Sequence, residues 1–110
     1  MHVIVANSEN VRDRLRVYCQ TESKVIHPPI RTDLFHWIDQ EPYYLSFARL
    51  DELKRIDRIV RAFQKLPDKR LIVASGGDAE QEIRTLAQGY PNIEIVGWVD
   101  DTRLKELIGR

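Results

Sequence analysis

The sequence predicts an α/β fold, a Rossmann-like parallel sheet with flanking helices, on three observations. From Tyr43 onward, short apolar runs alternate with longer stretches whose apolar residues recur at helical spacing, in the order β-α-β-α-β-α. The connections are short, and crossovers of one hand then lay the strands parallel with helices packed against them. The strand runs are nearly all apolar, which suits a sheet covered on both faces rather than one open to water.

Before that pattern, His2–Ala6 is a β-branched run that reads as a strand, and Asn7-Ser8 offers an N-cap to the helix after it. That helix carries Val11, Leu15 and Tyr18 on one face, with Glu9, Arg12, Asp13, Arg14 and Arg16 on the other. Cys19 near its end reads as a small buried or half-buried filler; no His or second Cys stands near it in sequence to activate a thiol. Lys24–His27 is a short strand stopped by Pro28-Pro29, which lack an N–H and force an extended exit. Ile30–Phe35 makes a turn with Thr32-Asp33 as its cap, and His36–Pro42 is a polar connector holding Trp37.

Tyr43–Ala48 is then expected to be a largely buried strand, with Arg49 where it runs out and Lys54-Arg55 where the next helix begins. Arg55–Leu66 is the clearest helix: Ile56, Ile59, Val60, Phe63 and Leu66 form its apolar stripe, and Arg58, Arg61, Gln64 and Lys65 face water. Pro67-Asp68 ends it. Leu71–Ala74 reads as a strand buried on both faces. Ser75-Gly76-Gly77-Asp78 is a glycine turn into a helix, where Asp78 and Gln81 have the spacing of a capping box. Ile83, Leu86, Ala87 and Tyr90 form that helix's inner stripe, closed by Gly89 and Pro91. Ile93–Val96 is the third strand, Gly97-Trp98-Val99 turns into Asp100-Asp101, and Leu104, Leu107 and Ile108 belong to a last amphipathic helix.

At 110 residues, 43% apolar and 31% charged, the chain suits one globular domain or slightly more. Lysines plus arginines equal aspartates plus glutamates, 17 each, so no global charge invites nucleic acid or an anionic membrane, and any anion must be bound locally. A single cysteine allows no intrachain disulfide and fits a reducing compartment. No apolar run approaches a membrane span, and the first residues carry no leader pattern. The expectation is a cytoplasmic chain, with peripheral membrane attachment through other parts of a larger protein left open.

Three loops should share the edge where strands end and helices begin, the place where open α/β sheets collect ligands: 48–54, 75–78 and 96–100. Arg49, Lys54 and Arg55 at that edge, beside a helix amino end, could hold a doubly charged anion such as a diphosphate, or could be solvated surface charges. Gly76 and Gly77 could admit a ligand to bare backbone, or simply serve the turn. The loop is not the GxGxxG fingerprint, which gives a dinucleotide little support. Asp51, Glu52, Asp78, Asp100 and Asp101 are explained by solvation or capping. No carboxylate pair, Ser/His/Asp set or Cys/His set is evident, and His2, His27 and His36 lack ligand spacing, so neither catalytic residues nor a metal is expected.

In order, ANSENVRDRL, VIHPPIRTDLF, YYLSFARLDELKRIDRIVRAFQKLPDKRLIVASGGDAEQEI and PNIEIVGWVDDTRLKELI resemble the retaining GT-B glycosyltransferases of family 4, the group 1 glycosyltransferases. The resemblance covers essentially the whole chain. It implies part of a GT-B C-terminal domain, with 1–23 as the tail of the N-terminal domain and 24–110 as the first half of the nucleotide-sugar-binding domain. It assigns Arg49 and Lys54 to the donor diphosphate, and Gly76, Gly77, Val96, Gly97 and Trp98 to loops that meet the donor through backbone. Ala48 stands where the family has Gly, and Gly76-Gly77-Asp78 is a shifted form of its glycine loop. The family's Glu-x7-Glu segment falls outside the sequence, so the chain is expected to be an inactive fragment of an enzyme that moves a hexose, such as mannose or glucose, from a nucleotide-diphosphate sugar to a sugar or lipid-linked acceptor. No cofactor is implied. Exposed apolar surface on such a fragment would favour self-association. A non-catalytic nucleotide- or phosphate-binding module and a purely structural interaction domain are the alternatives.

Overall fold

The computed structural model describes residues 3–110, which form two compact units, one ending at Thr32 and one spanning Asp33–Arg110. Among the described residues there are two small parallel sheets and four α-helices, a mixed α/β chain consistent with a Rossmann-like fold.

In the first unit, β1 (Val5–Ala6) and β2 (Lys24–Val25) pair in parallel, Val5 opposite Lys24, with α1 (Glu9–Cys19) between them in sequence. His2, where the first strand was expected to begin, lies outside the described residues. Ser8 caps α1 as its residue type predicts, its extended backbone letting Oγ accept from Val11 N at 3.3 Å. The helix ends at Gln20, in the left-handed conformation at φ 49°. Two short strands offer too little surface to cover a helix, and α1 buries none of its residues: Tyr18 is 79% exposed, and Cys19 is exposed rather than the buried filler expected of it.

The second unit holds β3 (Tyr43–Ser46), α2 (Ile56–Phe63), β4 (Arg70–Val73), α3 (Glu80–Ala87), β5 (Ile93–Ile95) and α4 (Asp101–Gly109). The strands are parallel in the order β3-β4-β5, with Leu45 opposite Ile72 and Val73 opposite Ile95. Alternation along β4 separates two cores. Leu71 and Val73 pack with Val60 of α2 and Ile83 and Ala87 of α3 on one face. Ile72 and Ala74 pack with Leu107 of α4 on the other. Every residue of 71–74 is buried, as a central parallel strand requires.

Three local expectations change. β3 is an outer strand, so it is not largely buried: Tyr44 is 55% exposed and covered mainly by the Phe63 ring, edge-on with centroids 5.3 Å apart, and only Ser46 is buried. α2 starts at Ile56 because a 3-10 turn over Glu52–Lys54 and a left-handed Arg55 at φ 52° come first. It ends at Phe63, short of the expected Leu66, where Lys65 N and Leu66 N switch to the carbonyls three residues back, Ala62 and Phe63, at 3.1 Å. The Asp78–Gln81 capping box does not form. Ala79 occupies the cap position, where its methyl side chain can accept no hydrogen bond, and its N–H is held by Leu50 O at 3.0 Å, which draws the loop toward the exit of β3.

Two clasps close the unit. Asn92 Nδ2 donates to the carbonyls of Phe63, Leu66 and Lys69 at 3.0–3.1 Å, tying the end of α2 and its exit loop to the start of β5. The supposed connector 36–42 is a strap. Ile38 N and Asp39 N donate to Gly109 O at 2.7 and 3.3 Å, and Glu41 N donates to Arg110 O at 2.9 Å, taking up the last carbonyls of α4. Glu41 also pairs with Arg110 at 2.6 Å, and Tyr43 OH donates to Leu107 O at 2.7 Å. Burial, with Glu41 nearby, raises the Tyr43 phenol above its ordinary pKa.

Asn92→Ala is expected to cost about 1–3 kcal/mol in urea unfolding, since carbonyls lose their donor. Asn92→Asp should cost more, because it aims carboxylate oxygens at those carbonyls; equal stability of both variants with wild type would show the clasp to be idle.

Candidate ligand-binding edge of the sheet

The loops after β3, β4 and β5 leave the same edge of one sheet, and the first two are welded by backbone. Leu50, wholly buried, donates from its N–H to Gly76 O at 3.1 Å and accepts from Ala79 N at 3.0 Å. The approach is so close that a Cβ on Gly77 would stand 2.8 Å from the Leu50 carbonyl carbon and nearer still to its oxygen. Gly77 is therefore required by the close packing of the two loops. Gly76 is different: a Cβ there meets only Glu80 Oε2 at 3.4 Å and Trp98 Cβ at 3.7 Å.

Those neighbours join the second loop to the third. Gly97, at φ 77°, is buried, and a Cβ on it would lie 3.0 Å from Arg84 Nη2 and 3.4 Å from Glu80 Oε1. Val96 is half-buried with the α4-side core, and Trp98 projects at 78% exposure. Gly76, Gly77, Gly97 and Trp98 thus fall at one place, as their order along the chain leads one to expect.

Arg49 immediately precedes the anchored Leu50, so its backbone is fixed beside the glycine loop. Lys54 closes the 3-10 turn, where its N–H donates to Asp51 Oδ1 at 3.0 Å. Both side chains are exposed, and among the described residues neither has an ion-pair or hydrogen-bond partner. Arg55, the third cation of the sequence reading, is engaged. Its Nε and Nη2 each reach an Asp57 oxygen at 3.1 Å, and this bidentate bond holds the Asp57 carboxyl below its usual range.

A hollow of about 570 Å³ opens between the starts of α2 and α3. Leu50, Ile56 and Ile83 floor it, and Asp51, Glu52, Asp57, Asp78 and Glu82 surround it with Arg55 as the one cation; neither Arg49 nor Lys54 lines it. Five carboxylates against one neutralised guanidinium repel a diphosphate. The free cations and the hollow are therefore separate features of the edge, a division that the loop order alone did not reveal.

Sequence reasoning did not pair Glu80 with Arg84. Their spacing of four residues on a helix is a legible pair signal, but the partner loop at Gly97 is not. Arg84 Nη2 lies 2.7 Å and Nε 2.9 Å from Glu80 Oε1, while Nη1 donates to Ile95 O at 2.9 Å. Among the described residues no group of His, Cys, Asp and Glu side chains could hold a metal ion, and no helix is long and apolar enough to cross a membrane. Comparison with protein-family models gave no match, and comparison with curated proteins gave none.

Gly77→Ala should destabilise the chain by roughly 1–3 kcal/mol, the usual cost of forcing atoms into a packed site, whereas Gly76→Ala should be nearly neutral. Thermal unfolding of the two variants decides it; equal losses would contradict the weld. Arg55→Gln should raise the Asp57 pKa toward the ordinary carboxylate value, read by NMR titration. Because the folded value is lowered, the pair's contribution to stability is present above about pH 4 and lost as pH falls through the folded pKa.

Proposed function

We propose that this chain is the donor-binding part of a retaining glycosyltransferase that transfers a hexose, such as mannose or glucose, from a nucleotide-diphosphate sugar to an acceptor. The observation that carries the reading is Arg49: a guanidinium without a partner among the described residues, whose backbone is fixed at a parallel-strand tip next to the glycine loop at Gly76. Lys54, whose side chain also has no partner among the described residues, ends the 3-10 turn of the loop that carries Arg49. The family resemblance, from an independent direction, selects the same two residues.

On this reading Arg49 and Lys54 neutralise the diphosphate, most strongly as it departs and gains charge; stronger binding of that state than of the ground state is what accelerates transfer. The backbone at 76–77 and 96–98 would flank the nucleotide. The chain would then hold the end of one domain and the start of the next, with β2 (Lys24–Val25) on the first unit's side, which ends at Thr32, rather than in the second as the boundary at 23 expects. The acceptor and the groups that grip the sugar would belong to other parts of the enzyme. No residue here serves as acid or base, and no cofactor is required. The acidic hollow plays no part in binding the donor.

A non-catalytic nucleotide- or phosphate-binding module would use the same cations and is separated by affinity. Half a cleft should bind UDP, GDP or ADP only weakly, in the millimolar range, with amide shifts confined to loops 48–54, 75–78 and 96–100. Arg49→Ala or Lys54→Ala should weaken that binding about tenfold, the lower end for a charge-assisted contact at an exposed site. Micromolar binding by the chain alone favours the module; absence of shifts in these loops with all three nucleotides rejects both.

A further inference from the structure

We propose that Glu80 and Arg84 are positioning residues that hold the third loop, 96–100, against the second, 75–79, and so set the width of the crevice between them. Its consequence for ligand binding rests on the nucleotide reading above; the mechanical part does not.

An i,i+4 Glu–Arg pair on an exposed helix is ordinarily a small aid to that helix. This pair does more with its geometry. The Arg84 guanidinium uses Nε and Nη2 on Glu80 Oε1 and extends Nη1 past the helix to Ile95 O, the last residue of β5. Gly97, two residues further, lies so close that a side chain there would press on Arg84 Nη2. The other carboxylate oxygen, Glu80 Oε2, faces Gly76, and Trp98 Cβ approaches the same glycine. One ion pair therefore touches both loop tips and the end of the strand that delivers the third. β5 is an outer strand with β4 on one side only; the sheet bond nearest Gly97 is Val96 N–H to Val73 O at 3.0 Å, and beyond it the backbone turns out of the sheet. The first loop needs no such strap, being bonded to the second through Leu50.

The alternative is that the pair merely stabilises α3, and a charge reversal separates the two. Glu80→Arg/Arg84→Glu restores an ion pair on the helix, but a glutamate cannot donate to Ile95 O. Amide hydrogen exchange on the whole chain is the readout, with nucleoside diphosphate affinity beside it. In Arg84→Gln the Val96 amide, bonded to Val73 O at 3.0 Å, should exchange about tenfold faster, the loss expected when a local clasp opens, while the amides of 71–74 stay protected. The double reversal should recover part of the helix stability, the reversed pair opposing the helix dipole, but no loop protection. UDP, GDP or ADP, whichever the wild type binds, should bind several-fold more weakly to both variants at temperatures well below unfolding. Unchanged exchange at Val96 in Arg84→Gln, or full recovery of its protection by the reversal, overturns the proposal. Should Arg84→Gln fail to fold, Arg84→Lys, which keeps the charge but cannot reach both acceptors, carries the same comparison. If the wild type binds no nucleotide, the donor reading falls while the exchange result still decides the clasp.

Discussion

The backbone of Leu50 is the constraint on which this molecule's ligand edge depends. Its N–H and C=O are both spent on the neighbouring loop, at Gly76 and Ala79, and its side chain is sealed in the core between α2 and α3. A buried peptide unit with both groups paired cannot drift without exposing unsatisfied polar atoms. Arg49 and Asp51 on either side inherit that rigidity: one presents a free cation, and the other caps the turn that ends at Lys54. Gly77 is the counterpart that makes the approach possible. Replacing it would act first on stability and only then on any ligand.

The two cores explain why the edge is stable in so short a chain. α2 and α3 lie on one face of β4 and α4 on the other, so the central strand is fully covered while its neighbours stay partly open. Asn92 and the 36–42 strap finish helix ends that would otherwise leave carbonyls unpaired. The charge map is uneven in a useful way. Carboxylates gather around the hollow at the helix starts, where Asp57 pairs with Arg55, while Arg49 and Lys54 have no ion-pair partner among the described residues.

Much of this was legible from the sequence, for physical reasons. Helical spacing identified Ile56, Val60 and Ile83 as inward residues because burial selects one stripe. The continuous run 71–74 announced a central strand, and the three loops fell on one edge because crossovers share a hand. What escaped were features set by long-range backbone contact. Nothing in DELKR announces a left-handed Arg55, and Asp78–Gln81 looked like a cap until Leu50 drew Ala79 away. Tyr43–Ala48 has the composition of a buried strand, and only its outer place in the sheet leaves Tyr44 and Phe47 exposed. Glycine pairs are equally mute: Gly76 and Gly77 look alike in sequence, and only the approach of Leu50 tells the open one from the packed one.

The most direct test of the donor reading is a crystal structure of the chain soaked with UDP, GDP or ADP at high concentration. The account predicts the diphosphate within hydrogen-bond reach of the Arg49 guanidinium and Lys54 ammonium, beside the glycine loop at Gly76. Phosphate density elsewhere, with Arg49 and Lys54 still turned to solvent, would contradict it.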